Sequence, residues 1–427
     1  MLAVFLGVFI LLMVIGVPVA YAMGATALVT SAILWGVTGV PLNILVQQII
    51  SGLNSFTTLA IPMFLFAGQL MNTGGITNRI FNFCQSLVGH LHGGLGHVNV
   101  LASVIFSGMS GTAAADAGGL GVMEIKAMED QGFDTEFSAA VTGASSLIGP
   151  IIPPSVPMVM YGCLAGVSVS SLFIGGLLPG ILMAVGMMLL VGLYSIKRNY
   201  PRSRKYTWKE RWHQFVRAFP SLLTPVIIIG GIWTGIFTPT EAASVAVVYA
   251  FALIVLVYRE LSLAQVWKMA KACLTDSAAV LSIIAFVKVY GYVLTRTQLP
   301  TKLASAVFTV TTDPIAIMFL LIGFLLIIGC FMSTLESITL FTPIFIPMLT
   351  AVGIDLLVFG VIMCLVLMIG QLTPPFGIVL FVITKISKLE MAQVVKASLP
   401  FTVPVLIVVI LIVVFPQIVT FLPSLIK

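Results

Sequence analysis

The chain has 427 residues; 59% are apolar, only 8% are charged, and the mean hydropathy is +1.17. A soluble domain carries about 25% charged residues, so a water-facing globule is excluded and lipid must be the main solvent. The five cysteines, Cys84, Cys163, Cys273, Cys330 and Cys364, are widely spaced without a CxxC or zinc-type pattern, and read as small residues of membrane helices.

Apolar runs of about 20 residues are the expected spanning unit. In chain order they place crossings at 2–15, 18–36 and 55–71, with an amphipathic surface helix over 43–50. Ala20-Tyr21-Ala22 looks like a cleavage site, yet no Lys or Arg precedes the first apolar run and that run continues through Leu34. The first segment is therefore expected to be a mature span. The stretch GHLHGGLGH, with His90, His92 and His97, reads as a surface connection rather than a metal site. A re-entrant hairpin is expected over 98–130, then a crossing over 136–166 that is broken at 149–155, then a crossing over 171–194. After a basic stretch, crossings follow at 219–236, 239–258 and 274–294, with a surface helix over 262–272. A second hairpin over 315–350, a crossing over 357–384 broken at 373–377, and a last crossing over 398–420 complete the chain.

The second part repeats the first. Pro18 matches Pro239 at an offset of 221, Gly68 matches Gly291 at 223, Pro153-Pro154 matches Pro374-Pro375 at 221, and Pro179 matches Pro400 at 221. Repeat one is assigned to 1–195, a basic cytoplasmic loop to 196–217 and repeat two to 218–427. Ile196 to Arg217 holds eight of the 20 Lys and Arg against one acid, Glu210, which places it in the cytoplasm. The corresponding end of repeat two is nearly uncharged, so the repeats are expected to be inverted, as in many secondary transporters. This threading puts 16 of the 20 Lys and Arg inside and three, Arg296, Lys302 and Lys427, outside; Lys288 falls within a span. The expected fold is thus an all-α polytopic membrane protein of two inverted-topology repeats, each with a re-entrant hairpin and a broken helix.

Four helix-breaking segments fall at membrane depth: Ser107 to Thr112, Gly149 to Ser155, Gly329 to Ser337, and Thr373 to Gly377. Irregular backbone is tolerated there only where protein or a water-filled cavity surrounds it. Proline frees a carbonyl one turn back. Freed carbonyls and hydroxyls are hard oxygen ligands for a small cation, and exposed helix N-termini suit an anionic group. Asp116 and Glu336 match at an offset of 220, just after the hairpin tips; an acid at such depth is a functional candidate. With Thr112 and Ser155 they are the candidates for holding a substrate. Lys288 is either a partner for an acid or a snorkelling side chain, and Glu241 reads as a helix cap. No phosphate-binding loop, haem pattern or catalytic triad is visible, so neither an ATP-driven pump nor an enzyme is expected. Arg296 and Ser168 emerge on the outer face and are the candidates for docking a soluble partner.

The motifs FSGMSGTAAADAGGLG, GPIIPPS, TGIFTPTEAA, GCFMSTLESITLFTPIFIPM, LTPPFG and ASLPF span nearly the whole chain in order. Together they resemble the large membrane subunit of tripartite ATP-independent periplasmic (TRAP) transporters, the DctM-like family. The resemblance implies sodium-coupled uptake, by an elevator mechanism, of a small organic anion such as sialic acid or a C4-dicarboxylate. It also implies a bacterial inner membrane, a small four-helix membrane subunit on a separate chain, and a soluble periplasmic binding protein that delivers the substrate. The family's two sodium sites would fall on Ser107, Ser110, Gly149 and Pro153, and on Gly329, Ser333, Thr373 and Pro375. The competing readings are a stand-alone sodium/anion symporter without a binding protein, a membrane-embedded enzyme, and a passive channel.

Overall fold

The computed structural model describes residues 2–72 and 74–425; Lys427, assigned above to the outer side, lies outside the described residues. All regular elements among them are helices. The first part runs α1 (Leu2–Val14), α2 (Val19–Trp35), α3 (Leu42–Leu53), α4 (Ala60–Met71), α5 (Gly74–Val88), α6 (Gly94–Ser110), α7 (Ala113–Asp130), α8 (Thr135–Ser145), α9 (Val156–Ala165) and α10 (Val169–Lys197). The second runs α11 (Trp208–Trp233), α12 (Pro239–Phe251), α13 (Leu263–Arg296), α14 (Leu299–Phe308), α15 (Pro314–Phe331), α16 (Thr334–Ala351), α17 (Leu356–Gly370), α18 (Ile378–Ser387), α19 (Met391–Val414) and α20 (Gln417–Ser424).

Seven helices are long and apolar enough to cross a membrane, and the pair α3–α4, bent by 54°, is an eighth candidate. Their lipid-facing sides carry exposed Leu, Ile, Val and Phe, the inverse of a soluble surface. The order of elements recurs. A tight hairpin (α6–α7, then α15–α16) is followed by a short helix, a break and another short helix (α8–α9, then α17–α18), then a long helix carrying an internal proline, Pro179 in α10 and Pro400 in α19.

The breaks follow from the sequence. α6 stops at Gly111, whose φ of +69° is a left-handed conformation that glycine adopts without a Cβ penalty. Thr112 then starts α7 by accepting a hydrogen bond from Ala115 N at 3.3 Å. Ser333 starts α16 through a capping box with Glu336. Both double prolines, Pro153-Pro154 and Pro374-Pro375, have a cis peptide and lie in the non-helical stretches after α8 and α17. Glu241 caps α12 in a box with Thr238, as the sequence suggests.

Several boundaries differ from expectation. The separate surface helix over 262–272 does not exist: it is continuous with the following span in α13, because no Gly or Pro interrupts Leu263 to Val289. The basic loop is half as long as expected, because the capping box of Thr207 and Glu210 starts α11 at Trp208. The last crossing starts earlier, at Met391, and ends at Val414; Pro416 separates it from α20. The first hairpin starts at Gly94 rather than 98, so His97 lies buried within α6 instead of in a surface connection. α5 and α14 were not anticipated; in both, polar residues interrupt the apolar run.

Candidate functional site

The two hairpin tips are held to the two breaks by the same kind of backbone bond. Val156 N donates to Gly111 O at 3.4 Å, and Phe376 N donates to Cys330 O at 3.1 Å. Each break therefore meets the tip of the preceding hairpin, and four segments separated in sequence become two compact clusters.

The first cluster is buried. Ser107, Ser110, Asp116, Gly149, Pro153 and Ser155 are all buried. Ser110 Oγ donates to Asp116 Oδ1, and Ser107 Oγ donates to Val104 O at 2.6 Å. Ser155 Oγ donates to Pro150 O and accepts from Met158 N, which starts α9. The other carboxylate oxygen, Asp116 Oδ2, has no hydrogen-bond partner although Asp116 is 1% exposed. It rests against Gly149, where a methyl group would overlap it. Gly68 of α4 closes the cluster from behind, since a Cβ there would stand 2.9 Å from Ser110 O. An unpaired buried carboxylate oxygen is a ligand type that suits a hard cation.

The second cluster is more open. Gly329 and Gly370 let α15 and α17 meet backbone to backbone, and a Cβ on Gly370 would overlap the Gly329 carbonyl. Thr373 N donates to Gly370 O at 3.1 Å, which brings Thr373 to the same crossing; its hydroxyl donates to Ile369 O at 2.9 Å. Pro374, Pro375 and Phe376 are exposed, Phe376 by 60%. Glu336 does not repeat the environment of Asp116: its Oε2 accepts from Ser333 N at 3.0 Å while Ser333 Oγ accepts from Glu336 N at 3.4 Å. Both belong to the helix start, and the S-x-x-E spacing announces it.

Four buried polar residues behind the first cluster carry no motif. Asn99 Nδ2 donates to Thr142 Oγ1 at 2.7 Å, Ser145 Oγ donates to Asn99 Oδ1 at 2.7 Å, and Ser103 Oγ donates to Ser145 Oγ at 3.0 Å. They tie the hairpin helix α6 to α8, the first arm of the broken span. A lone Asn in an apolar run is the one signal that points to them. Asn72, at the end of α4, adds a bond from Nδ2 to Ala115 O at 3.2 Å.

The docking candidates lie apart from both clusters. Ser168 is exposed and caps α10. Arg296 ends α13 over the ring of Tyr292, 5.4 Å from its centroid, and lines a cavity of about 340 Å³ with Trp35, Pro41 and Ile44.

The family model for the DctM component of tripartite ATP-independent periplasmic transporters matches residues 6–418. The chain belongs to this family. It is 43% identical over 410 residues to the sialic acid TRAP transporter large permease protein SiaM of Vibrio cholerae, covering 96% of itself and 95% of that protein. It is 42% identical over 419 residues to the sialic acid TRAP transporter permease protein SiaT of Haemophilus influenzae, covering 98% of itself and 67% of that protein. In fold, this chain is similar to the YdaH transporter of Alcanivorax borkumensis, whose structure was described as having an unusual topology: the TM-score is 0.68 at 13% identity, over 88% of this chain and 89% of that one.

Proposed function

We propose that this DctM-family protein takes up a small carboxylate, a sialic acid or a dicarboxylate, on a sodium gradient, with a periplasmic binding protein delivering the substrate and a small membrane subunit bracing the permease. The observation that carries the reading is the pair of tip-to-break clusters, with one carboxylate oxygen, Asp116 Oδ2, buried and unpaired in the first. Sodium, as co-transported cargo, suits Ser107, Ser110, Gly149 and Pro153 in the first cluster and Gly329, Ser333, Thr373 and Pro375 in the second. Thr112, Asp116, Ser155 and Glu336 are the candidates for meeting a substrate carboxylate; the capping role of Glu336 makes it a poorer contact than the other three. The sialic acid relatives favour that substrate.

The two repeats (1–195 and 218–427) have opposite orientations in this reading, and the hairpins and broken spans move together against the remaining helices. The uneven exposure of the two clusters fits a permease caught with one side open. Reconstitution in proteoliposomes tests it. Uptake of labelled sialic acid is expected only with an inward sodium gradient, the small subunit and the binding protein. Uptake with potassium alone, or by this chain without partners, would reject sodium coupling or binding-protein dependence respectively.

A further inference from the structure

The C-terminal end of α10 and the N-terminal end of α19 enclose a cavity of about 410 Å³ that neither cluster uses. Arg198, Lys396, Glu136 and Gln393 line it together with Tyr194, Phe137 and Phe401. Its charges are balanced. Arg198 Nη1 holds Asp134 at 2.8 Å, and Gln393 Nε2 donates to Glu136 Oε1 at 3.3 Å. Lys396 forms no ion pair among the described residues. Pro400, also in the lining, has no N–H for the Lys396 carbonyl one turn earlier, so that carbonyl loses its usual helical donor.

The back of the cavity is aromatic: Tyr194 stacks on Phe401 at 5.9 Å, and Phe137 meets Phe401 edge-on at 6.0 Å. Away from the charges, α19 presents exposed Val403 and Ile407, three and seven residues beyond Pro400 along the same side of the helix. The site thus grades from a mixed-charge mouth to an apolar flank along a long membrane helix. A free anion would use only the cations and leave Glu136 facing it. An anionic lipid would meet the same mismatch.

We propose that this cavity binds a phospholipid with a zwitterionic, amine-bearing headgroup, a phosphatidylethanolamine. Its phosphodiester faces Lys396 and the free guanidinium donors of Arg198. Its ammonium faces Glu136 and the Lys396 carbonyl, and its acyl chains run along Val403 and Ile407. An ammonium supplies three N–H donors, which a quaternary choline lacks. Lys385, Lys388 and the basic stretch before α11 gather at the same end, which assigns the lipid to the cytoplasmic leaflet. The assignment rests on the membrane reading of the fold but not on sodium coupling or on the transported substrate.

Native mass spectrometry of the purified, delipidated full chain tests it without any transport assay. With equimolar lipids of identical acyl chains, phosphatidylethanolamine is expected to exceed phosphatidylglycerol and phosphatidylcholine by about tenfold in occupancy, equivalent to about 1.4 kcal/mol. Glu136→Gln should erase the preference for the amine, and Lys396→Ala should lower occupancy of phosphatidylethanolamine. Equal occupancy of the three lipids on the wild-type chain overturns the proposal, and that comparison stands even if a variant fails to fold. Unchanged lipid selectivity in both folded variants overturns it as well. Soluble glycerophosphoethanolamine is expected not to displace the diacyl lipid at equal concentration; displacement would assign the site to a free headgroup from solution and reject the lipid.

Discussion

The carboxylate of Asp116 lies against the α-carbon of Gly149, so close that a methyl group on Gly149 would overlap Oδ2. The two residues are 33 positions apart in sequence, one in the first turn of α7 and the other just after α8. Their contact joins the hairpin to the break beside a buried carboxylate oxygen that has no hydrogen-bond partner among the described residues.

Gly149 has ordinary helical backbone angles, φ −48° and ψ −54°, so alanine is tolerated by the main chain and only the overlap with Asp116 opposes it. Gly149→Ala should therefore cost about 1–3 kcal/mol as an overpacking substitution and abolish sodium-dependent uptake. Gly230→Ala in α11, where nothing lies within 4 Å of the added carbon, should be neutral or stabilising by up to about 1 kcal/mol. Thermal unfolding in detergent and uptake together check both; equal behaviour of the two variants would refute the role given to the Asp116–Gly149 contact.

Ser110→Ala and Thr373→Ala should both raise the sodium concentration needed for half-maximal uptake, but they should differ in stability. Ser110 supplies the bond to buried Asp116, so its loss leaves a second oxygen unpaired at about 1–3 kcal/mol. Thr373 Oγ1 donates only to Ile369 O in the last turn of the preceding helix, and its removal should change stability by no more than about 0.5 kcal/mol. Sodium titrations of uptake, with melting curves alongside, separate the two effects; wild-type sodium dependence in both variants would remove these hydroxyls from the ion sites.

Lys205 and Lys302 are exposed and fall on opposite sides in the proposed inverted topology. Single cysteines at these positions, in a background lacking the five free native cysteines, should react with an impermeant maleimide from opposite faces of the membrane. Labelling of both from one face would reject the inversion.

Arg296 stands over Tyr292 beside a cavity that includes Trp35. If this edge meets the binding protein, Arg296→Glu should lower uptake several-fold at low salt and less at moderate salt, because rim charges act mainly through encounter and orientation. A bulky residue in place of Ser168 should lower uptake by obstruction at either salt. Normal uptake in both variants would place the docking surface elsewhere.

Much of this protein is legible in one dimension. Apolar runs and the paired prolines of the two breaks mark where spans and irregular backbone fall, because each records a local requirement of lipid or of backbone geometry. The capping role of Glu241 also follows from residues three positions apart. The different fates of Asp116 and Glu336 needed the tertiary structure. They match in sequence, but Glu336 spends its carboxylate on Ser333, while Asp116 meets Ser110 nearby and Gly149 far along the chain. The Asn99–Thr142–Ser145–Ser103 network and the mixed-charge cavity between α10 and α19 likewise join residues from distant segments. Local sequence sets where a helix starts, bends and stops; which buried polar atom finds a partner, and which is left without one, depends on helices brought together only by packing.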